Sequence, residues 1–109
     1  MSRLGDVLAR LASTIEARKG ADPASSYTAK LLAGGPPLAA KKFGEEAFET
    51  AIAALQADPD AIAAESADLI YHWLVLLTAT GVSLDSVAEK LEAREGTSGI
   101  AEKASRPKG

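Results

Sequence analysis

Acidic side chains recur at helical spacing in two separate segments of the chain. They are Glu45, Glu46 and Glu49 in KKFGEEAFET, followed by Glu65 and Asp68 in ESAD. Because residues three or four apart on a helix are neighbours, like charges at this spacing repel by about 0.2–0.5 kcal/mol per pair. Either each group is an unimportant part of a solvated surface, or a positive species binds there.

The register of the two segments predicts that these carboxylates meet. A short connection at Asp58-Pro59 joins the two predicted helices, which makes them antiparallel neighbours. Residues equally distant from a turn near residue 57 then lie level with one another. The level pairs are Glu46 with Asp68, Glu49 with Glu65, and Lys42 with His72. If the two faces meet, four carboxylates gather in two layers about one helical turn apart.

A divalent cation is the natural partner of such a group, since ionised carboxylates beside an apolar helix are strongly unfavourable without compensation. With no cysteine and one histidine in the chain, the ligands are oxygens, which favours Mg²⁺ or Mn²⁺ over zinc or a di-iron centre. Lys41 and Lys42 lie one turn away, where they are either solvated or placed to contact the phosphates of a metal-bound ligand. His72 by itself is more often a core residue than a ligand.

Composition excludes several other classes of protein. The chain has 109 residues, enough for one domain, and a net charge of −3, so no positive field attracts nucleic acid or an anionic membrane. The N-terminal segment is amphipathic rather than a signal peptide, and the most apolar run, LIYHWLVLL (69–77), is too short to span a bilayer. We expect a soluble, cytoplasmic protein with no nucleic-acid or membrane partner.

Proline, glycine and capping residues divide the chain into predicted helices. We expect these over residues 3–18, 23–32, 38–57, 59–81 and 84–95. The second and fourth begin at an Asp-Pro pair, which is an N-cap followed by proline at the first helical position. We expect Phe48, Ile52 and Leu55 to form the inner stripe of the third helix. No strand pattern is present, so the expected class is all-α, a bundle of four to five helices.

Two further expectations concern the tail and the assembly of the chain. Residues 1–95 form the helical domain, and residues 96–109, rich in glycine and basic side chains, form a flexible tail. The fourth helix is apolar nearly all round from Leu69 to Leu77, which places it at the centre of the bundle. So short a chain covers such a helix poorly, and a homodimer would complete the bundle.

Four stretches resemble one enzyme family in order and in spacing. They are SSYTAKLL (25–32), AKKFGEEAFET (40–50), ESADLIYHWLVLL (65–77) and GVSLDSVAEKLEAR (81–94). Together they are similar to the phosphoribosyl-ATP pyrophosphatase family of the all-α NTP pyrophosphatase superfamily, over residues 4–106. The superfamily motif, Glu-x-x-Glu followed by Glu-x-x-Asp, matches Glu46, Glu49, Glu65 and Asp68. The Ser-Tyr-Thr stretch and the Tyr-His pair indicate this particular member.

The resemblance implies a Mg²⁺-dependent hydrolysis of phosphoribosyl-ATP to phosphoribosyl-AMP and pyrophosphate, the second step of histidine biosynthesis, by a homodimer. It assigns the metal to the four motif carboxylates, and the activation of water to Glu45, Glu46 or Glu49. The implied substrate contacts are Ser26, Tyr27, Thr28, Lys30, Lys41, Lys42, Tyr71 and His72. One departure from the family pattern, the doubled Pro36-Pro37, affects the expected start of the third helix.

Two alternatives remain open. A related pyrophosphatase of the same superfamily would carry the same carboxylates but act on another nucleotide, such as a non-standard NTP. A non-catalytic helical dimerisation module would carry the acidic stripes only as solvated surface. Such a module would show no Mg²⁺-dependent rise in melting temperature.

Overall fold

Five α-helices and their connections make up the part of the chain that this computed structural model describes, residues 2–96. They are α1 (Arg3–Ala17), α2 (Tyr27–Ala33), α3 (Gly35–Leu55), α4 (Pro59–Thr80) and α5 (Leu84–Glu92). These residues contain no strand, so the predicted all-α class is confirmed. Apart from Gly96, the expected flexible tail lies outside the described residues.

Capping chemistry explains where α4 and α5 begin. Asp58 is the N-cap of α4, where its Oδ1 accepts a hydrogen bond from the main-chain N–H of Asp60 at 3.1 Å. Ser83 caps α5 in the same way by accepting from the N–H of Ser86 at 3.1 Å. Gly81 ends α4 in the left-handed conformation, with a φ of 75°. The predicted starts of both helices are confirmed.

The predicted start of α2 is wrong. Asp22 closes only a single turn, in which its Oδ1 accepts from the N–H of Ala24 at 3.0 Å. The helix begins at Tyr27, with Ser26 as its N-cap. Both residues are good caps, but Ser26 has the extended conformation (φ −148°, ψ 125°) from which the helix starts, and Thr28 just after it hydrogen-bonds Tyr71 of α4.

The predicted start of α3 is also wrong. The helix begins at Gly35 rather than at residue 38, because Pro36 and Pro37 occupy its first turn. An N–H in the first turn has no partner within the helix, so its absence in proline costs nothing there. Gly34 therefore joins α2 directly to α3.

The central position predicted for α4 is confirmed. Leu74 and Val75 are fully buried and form the core with Ile15 of α1, Leu31 of α2 and Ala39 of α3. The apolar run at 69–77 belongs to this longer helix, which by length and composition could cross a membrane. Core helices of soluble proteins share that property, and here α1, α2 and α3 pack against α4.

The inner stripe predicted for α3 is wrong. The buried residues of this helix are Ala39 and Ala53, whereas Phe48 is 69% exposed, Leu55 83% and Ile52 39%. Small side chains let α3 and α4 approach closely, and theirs is the most extensive contact between helices. The large side chains point outward and form a surface that we call the α3 apolar face (Phe48, Ile52 and Leu55).

Candidate active site

Three carboxylates converge between α3 and α4. Glu46 and Glu49 lie one turn apart on α3, and Glu65 lies on α4. One carboxylate oxygen from each residue lies within 4.8 Å of the other two. We call these three residues the carboxylate triad, and the antiparallel pairing of the two helices is what brings them together.

Two oxygens of the carboxylate triad are buried without a hydrogen-bond partner among the described residues. They are Glu46 Oε2 and Glu65 Oε2. Burying a carboxylate oxygen is costly unless a donor or a cation compensates for the water it has lost. The triad therefore presents binding capacity that the rest of residues 2–96 does not use.

Burial and repulsion raise the pKa of two members of the triad. Partial burial is the largest cause for Glu46, followed by the negative charge of Glu49; together they hold its pKa above the ordinary 4.5. The same two causes, in the same order, raise the pKa of Glu65. In the metal-free protein Glu46 and Glu65 thus retain their protons more firmly than isolated glutamates do, and a bound cation would displace these protons.

We expect the contribution of the triad to the free energy of unfolding of the metal-free protein to fall as the pH rises above 4.5. Native Glu46 and Glu65 have raised pKa values and so bind more protons than in the unfolded chain. This contribution is fully present at pH values below the glutamate pKa of the unfolded chain. It is lost as the pH rises through the higher pKa values that Glu46 and Glu65 have in the native state. Urea unfolding in EDTA, at pH values from 4.5 upward, measures it.

A Glu49→Gln variant isolates the triad from the other titrating groups in this experiment. It removes the charge that helps to raise both pKa values, so the wild type should lose stability relative to the variant as the pH rises. A difference between the two proteins that does not change with pH would contradict the prediction.

Asp68 lies at the rim of the triad rather than within it. Its side chain is exposed, yet its charge contributes to the raised pKa of both Glu46 and Glu65. Its main-chain oxygen accepts a hydrogen bond from Nδ1 of His72 at 2.8 Å. The four carboxylates expected together are therefore a triad with a fourth, exposed carboxylate nearby.

His72 is buried, with 6% of its surface exposed. Because a carbonyl oxygen can only accept, Nδ1 carries the proton in its bond to Asp68. The other ring nitrogen, Nε2, is buried and has no partner among the described residues. In the neutral ring Nε2 is an acceptor, so it is available to a donor group on a ligand.

Residues at the start of α2 lie against α4 beside this histidine. The hydroxyl groups of Thr28 and Tyr71 share a hydrogen bond, and Tyr27 stacks on Tyr71 with ring centroids 6.5 Å apart. Both tyrosine rings meet His72 edge to face. Four of the predicted substrate contacts therefore form one group, which we call the aromatic cluster (Tyr27, Thr28, Tyr71 and His72).

The other predicted residues lie outside these two groups. Lys42 Nζ is 3.5 Å from Glu45 Oε1, and both side chains are well exposed. Lys30 and Lys41 are also exposed, while Ser26 caps α2 by accepting a main-chain hydrogen bond at 3.1 Å. An exposed ion pair of this kind is weak, so an anionic ligand could readily recruit Lys42.

Sequence reasoning missed Thr50. Its hydroxyl lies between α3 and α4, within hydrogen-bond distance of main-chain oxygens of Glu46 and Glu65. Its position four residues after Glu46 could have indicated it, because residues at this spacing lie on the same face of a helix. The hydroxyl group carries no charge, so the pattern of acidic residues gives no indication of it.

The donor set of the triad fits a hard divalent cation. Its potential ligands are carboxylate oxygens from two helices, which Mg²⁺ and Mn²⁺ prefer. A cation would satisfy the unpartnered oxygens and relieve the repulsion among the three side chains. The residues present therefore fit Mg²⁺ or Mn²⁺.

Comparison with known proteins identifies the family. A family model described as phosphoribosyl-ATP pyrophosphohydrolase matches residues 8–95. The chain belongs to this family. A phosphoribosyl-ATP pyrophosphatase of Caulobacter vibrioides (strain NA1000 / CB15N) is 76% identical over 104 residues, which cover 95% of this chain and 96% of the relative.

Two further relatives with the same name extend the comparison. The protein of Caulobacter sp. (strain K31) is 71% identical over 107 residues, covering 98% of this chain and 99% of the relative. That of Cereibacter sphaeroides (strain KD131 / KCTC 12085) is 62% identical over 100 residues, covering 92% and 97%. The similarity thus extends over nearly the whole chain in each case.

The family predicted from four short stretches of sequence is confirmed, and with it the enzyme class, a hydrolase of a phosphoric anhydride. The matched region contains the carboxylate triad, Asp68 and the aromatic cluster. The relatives are named for phosphoribosyl-ATP rather than for another nucleotide, and for catalysis rather than for dimerisation. Both alternative interpretations of the acidic stripes therefore lose support.

Proposed function

We propose that this chain hydrolyses phosphoribosyl-ATP to phosphoribosyl-AMP and pyrophosphate, the second step of histidine biosynthesis, with Mg²⁺ held by the carboxylate triad and Asp68. The observation that most strongly supports the metal is the pair of buried, unpartnered oxygens, Glu46 Oε2 and Glu65 Oε2. Mn²⁺ accepts the same kinds of ligand and should substitute for Mg²⁺.

The triad performs the central task of the proposed reaction, the neutralisation of charge at the phosphates. When bound, Mg²⁺ supplies positive charge to the phosphate oxygens as the bond to pyrophosphate breaks. Glu46 and Glu49 from one helix and Glu65 from the other would hold the ion. Asp68, which is exposed and whose charge acts on both Glu46 and Glu65, would complete the ligands.

We propose Glu45, ahead of Glu46 and Glu49, as the residue that orients the attacking water and accepts its proton. It lies outside the triad, so its carboxylate is not needed as a ligand. Its present partner is Lys42, which the phosphates of the substrate would attract. Glu45 is then left free to act as a general base, and Lys30 and Lys41 add positive charge for the phosphates.

The aromatic cluster provides contacts for the rest of the substrate. Tyr27 is 54% exposed, so one face of its ring is open to stack on a base. Buried Nε2 of His72 accepts a hydrogen bond from a hydroxyl or N–H group of the substrate. These polar and aromatic groups adjoin Asp68 through the His72–Asp68 hydrogen bond, which links recognition to the metal site.

A homodimer is the assembly that the exposed apolar surface favours. Phe48, Ile52 and Leu55 form a continuous outward face on one helix, and contiguous apolar surface of this kind is typical of interaction sites. A second copy of the chain, related by a two-fold axis, would cover it with the same surface.

The chain is a soluble protein, because α4, its most apolar helix, packs against three others and carries Glu65 of the carboxylate triad. We place it in the cytoplasm. A chain without cysteine is compatible with that reducing compartment, and a nucleotide substrate and Mg²⁺ are both available there.

Pyrophosphate release from phosphoribosyl-ATP, measured with Mg²⁺ and with EDTA, tests this function. We expect release only with the metal, and much slower release from dUTP and the common dNTPs under the same conditions. Equal rates with the metal and with EDTA would refute the role of Mg²⁺. Faster hydrolysis of another nucleotide would instead reassign the substrate.

A further inference from the structure

The hydroxyl of Thr50 connects the main chains of two members of the carboxylate triad. Its Oγ1 lies 2.8 Å from the main-chain oxygen of Glu46, one turn earlier on α3. It also lies 3.1 Å from the main-chain oxygen of Glu65 on α4. Since both partners are carbonyl groups, the single hydroxyl proton is shared between the two helices.

This contact is unusual for its place in the fold. It joins α3 to α4 through main-chain oxygens, unlike the contact between the side chains of Glu49 and Glu65, which belongs to the triad itself. The buried residues of α3 are alanines, whose apolar contacts are non-directional. A hydrogen bond requires a particular distance and angle, and this one is fixed to the backbones that carry Glu46 and Glu65.

We infer that Thr50 is a positioning residue for the metal ligands. Its hydroxyl holds the backbones of Glu46 and Glu65 in register, so that their carboxylates converge with that of Glu49. The inference rests on the proposed metal-dependent function, and it concerns the affinity for the ion rather than the chemical step. Replacing a residue that orients the metal ligands, without itself contacting the metal, typically lowers the affinity for the metal by about 10–100-fold.

Two pairs of variants that differ at the hydroxyl test this inference. Thr50→Val replaces the hydroxyl of the wild type with a methyl group of similar size, and Thr50→Ala differs from Thr50→Ser by the hydroxyl alone. If valine disturbs the packing between the helices, the comparison of Thr50→Ala with Thr50→Ser still isolates the effect of the hydroxyl, because neither side chain is larger than threonine. Mn²⁺ affinity is measured by electron paramagnetic resonance on the full chain, without substrate. The Mg²⁺ concentration that gives half of the maximal rate is measured separately.

We expect Thr50→Val and Thr50→Ala to bind Mn²⁺ about 10–100-fold more weakly than their hydroxyl-bearing counterparts, with Thr50→Ser close to the wild type. The Mg²⁺ concentration for half-maximal rate should rise by the same factor, and saturating Mg²⁺ should restore most of the rate. Thr80→Val is the matched control. The Thr80 hydroxyl makes bonds of 2.8 and 3.1 Å, but only to oxygens of its own helix, so Mn²⁺ affinity should not change.

Three results would overturn the inference. Unchanged Mn²⁺ affinity in Thr50→Val and Thr50→Ala, with normal binding by the wild type, would refute the role of Thr50 and leave the metal site intact. An equal loss in Thr50→Ser and Thr50→Ala would show that the methyl group, not the hydroxyl, is what matters. No Mn²⁺ binding by the wild type would remove the metal site and the inference together.

Discussion

Replacing Glu49 with Gln is expected to lower the rate of phosphoribosyl-ATP hydrolysis at least a hundredfold without destabilising the metal-free protein. Neutralisation by a metal ion is worth several kcal/mol in the transition state, and each ~1.4 kcal/mol is a factor of ten in rate. Glu49 also repels Glu46 and Glu65, which is one cause of their raised pKa values. The neutral amide removes that repulsion, so the metal-free variant should be as stable as the wild type or slightly more stable.

The measurements are pyrophosphate release at saturating Mg²⁺ and urea unfolding in EDTA. Asp68→Asn should behave in the same way, because Asp68 belongs to the proposed ligands and adds to the same repulsion. Glu16→Gln is the control, since Glu16 is exposed on α1, away from the triad, and pairs with Lys19 at 3.5 Å. Near-normal turnover by Glu49→Gln would count against the metal site. Unfolding of the metal-free variant would show instead that the carboxylate is a structural partner.

The double substitution Phe48→Ala and Leu55→Ala is expected to convert the proposed homodimer into a monomer. In a two-fold dimer each substitution acts twice, so four large side chains are lost from the interface. At about 1.5 kcal/mol for each side chain, the loss is about 6 kcal/mol. That corresponds to a dissociation constant about 10⁴-fold higher. Alanine favours helix, so α3 itself should persist.

Sedimentation over a range of protein concentrations, with circular dichroism as a check on helix content, measures this change. Leu4→Ala together with Leu91→Ala is the control, because these side chains are also exposed, at 54% and 59%, but lie on α1 and α5. The control should remain dimeric. A wild-type protein that sediments as a folded monomer at micromolar concentration would refute the homodimer. A dimer that survives the double substitution would place the interface away from the α3 apolar face.

The errors in the sequence-based predictions, at the start of α2 and on the buried face of α3, arose where two local sequence signals were both plausible. Asp22 and Ser26 are both good helix caps, and only contacts with the rest of the fold select Ser26: Leu31 is buried, and Thr28 hydrogen-bonds Tyr71. The face of α3 was misassigned for a related reason. Apolar periodicity favours large residues as the core, but close approach to α4 requires alanine, and which face meets α4 depends on another helix.

The sequence by itself determined the all-α class, the starts of α4 and α5, and the family, because caps, helical periodicity and motif spacing are encoded within short stretches of chain. The level pairing of Glu49 with Glu65 likewise followed from a short turn. Only the tertiary structure decided which carboxylate oxygens are buried without partners, that Asp68 lies at the rim, and that Thr50 spans two helices. Burial and hydrogen bonding between helices depend on residues distant in the chain, which no local pattern specifies.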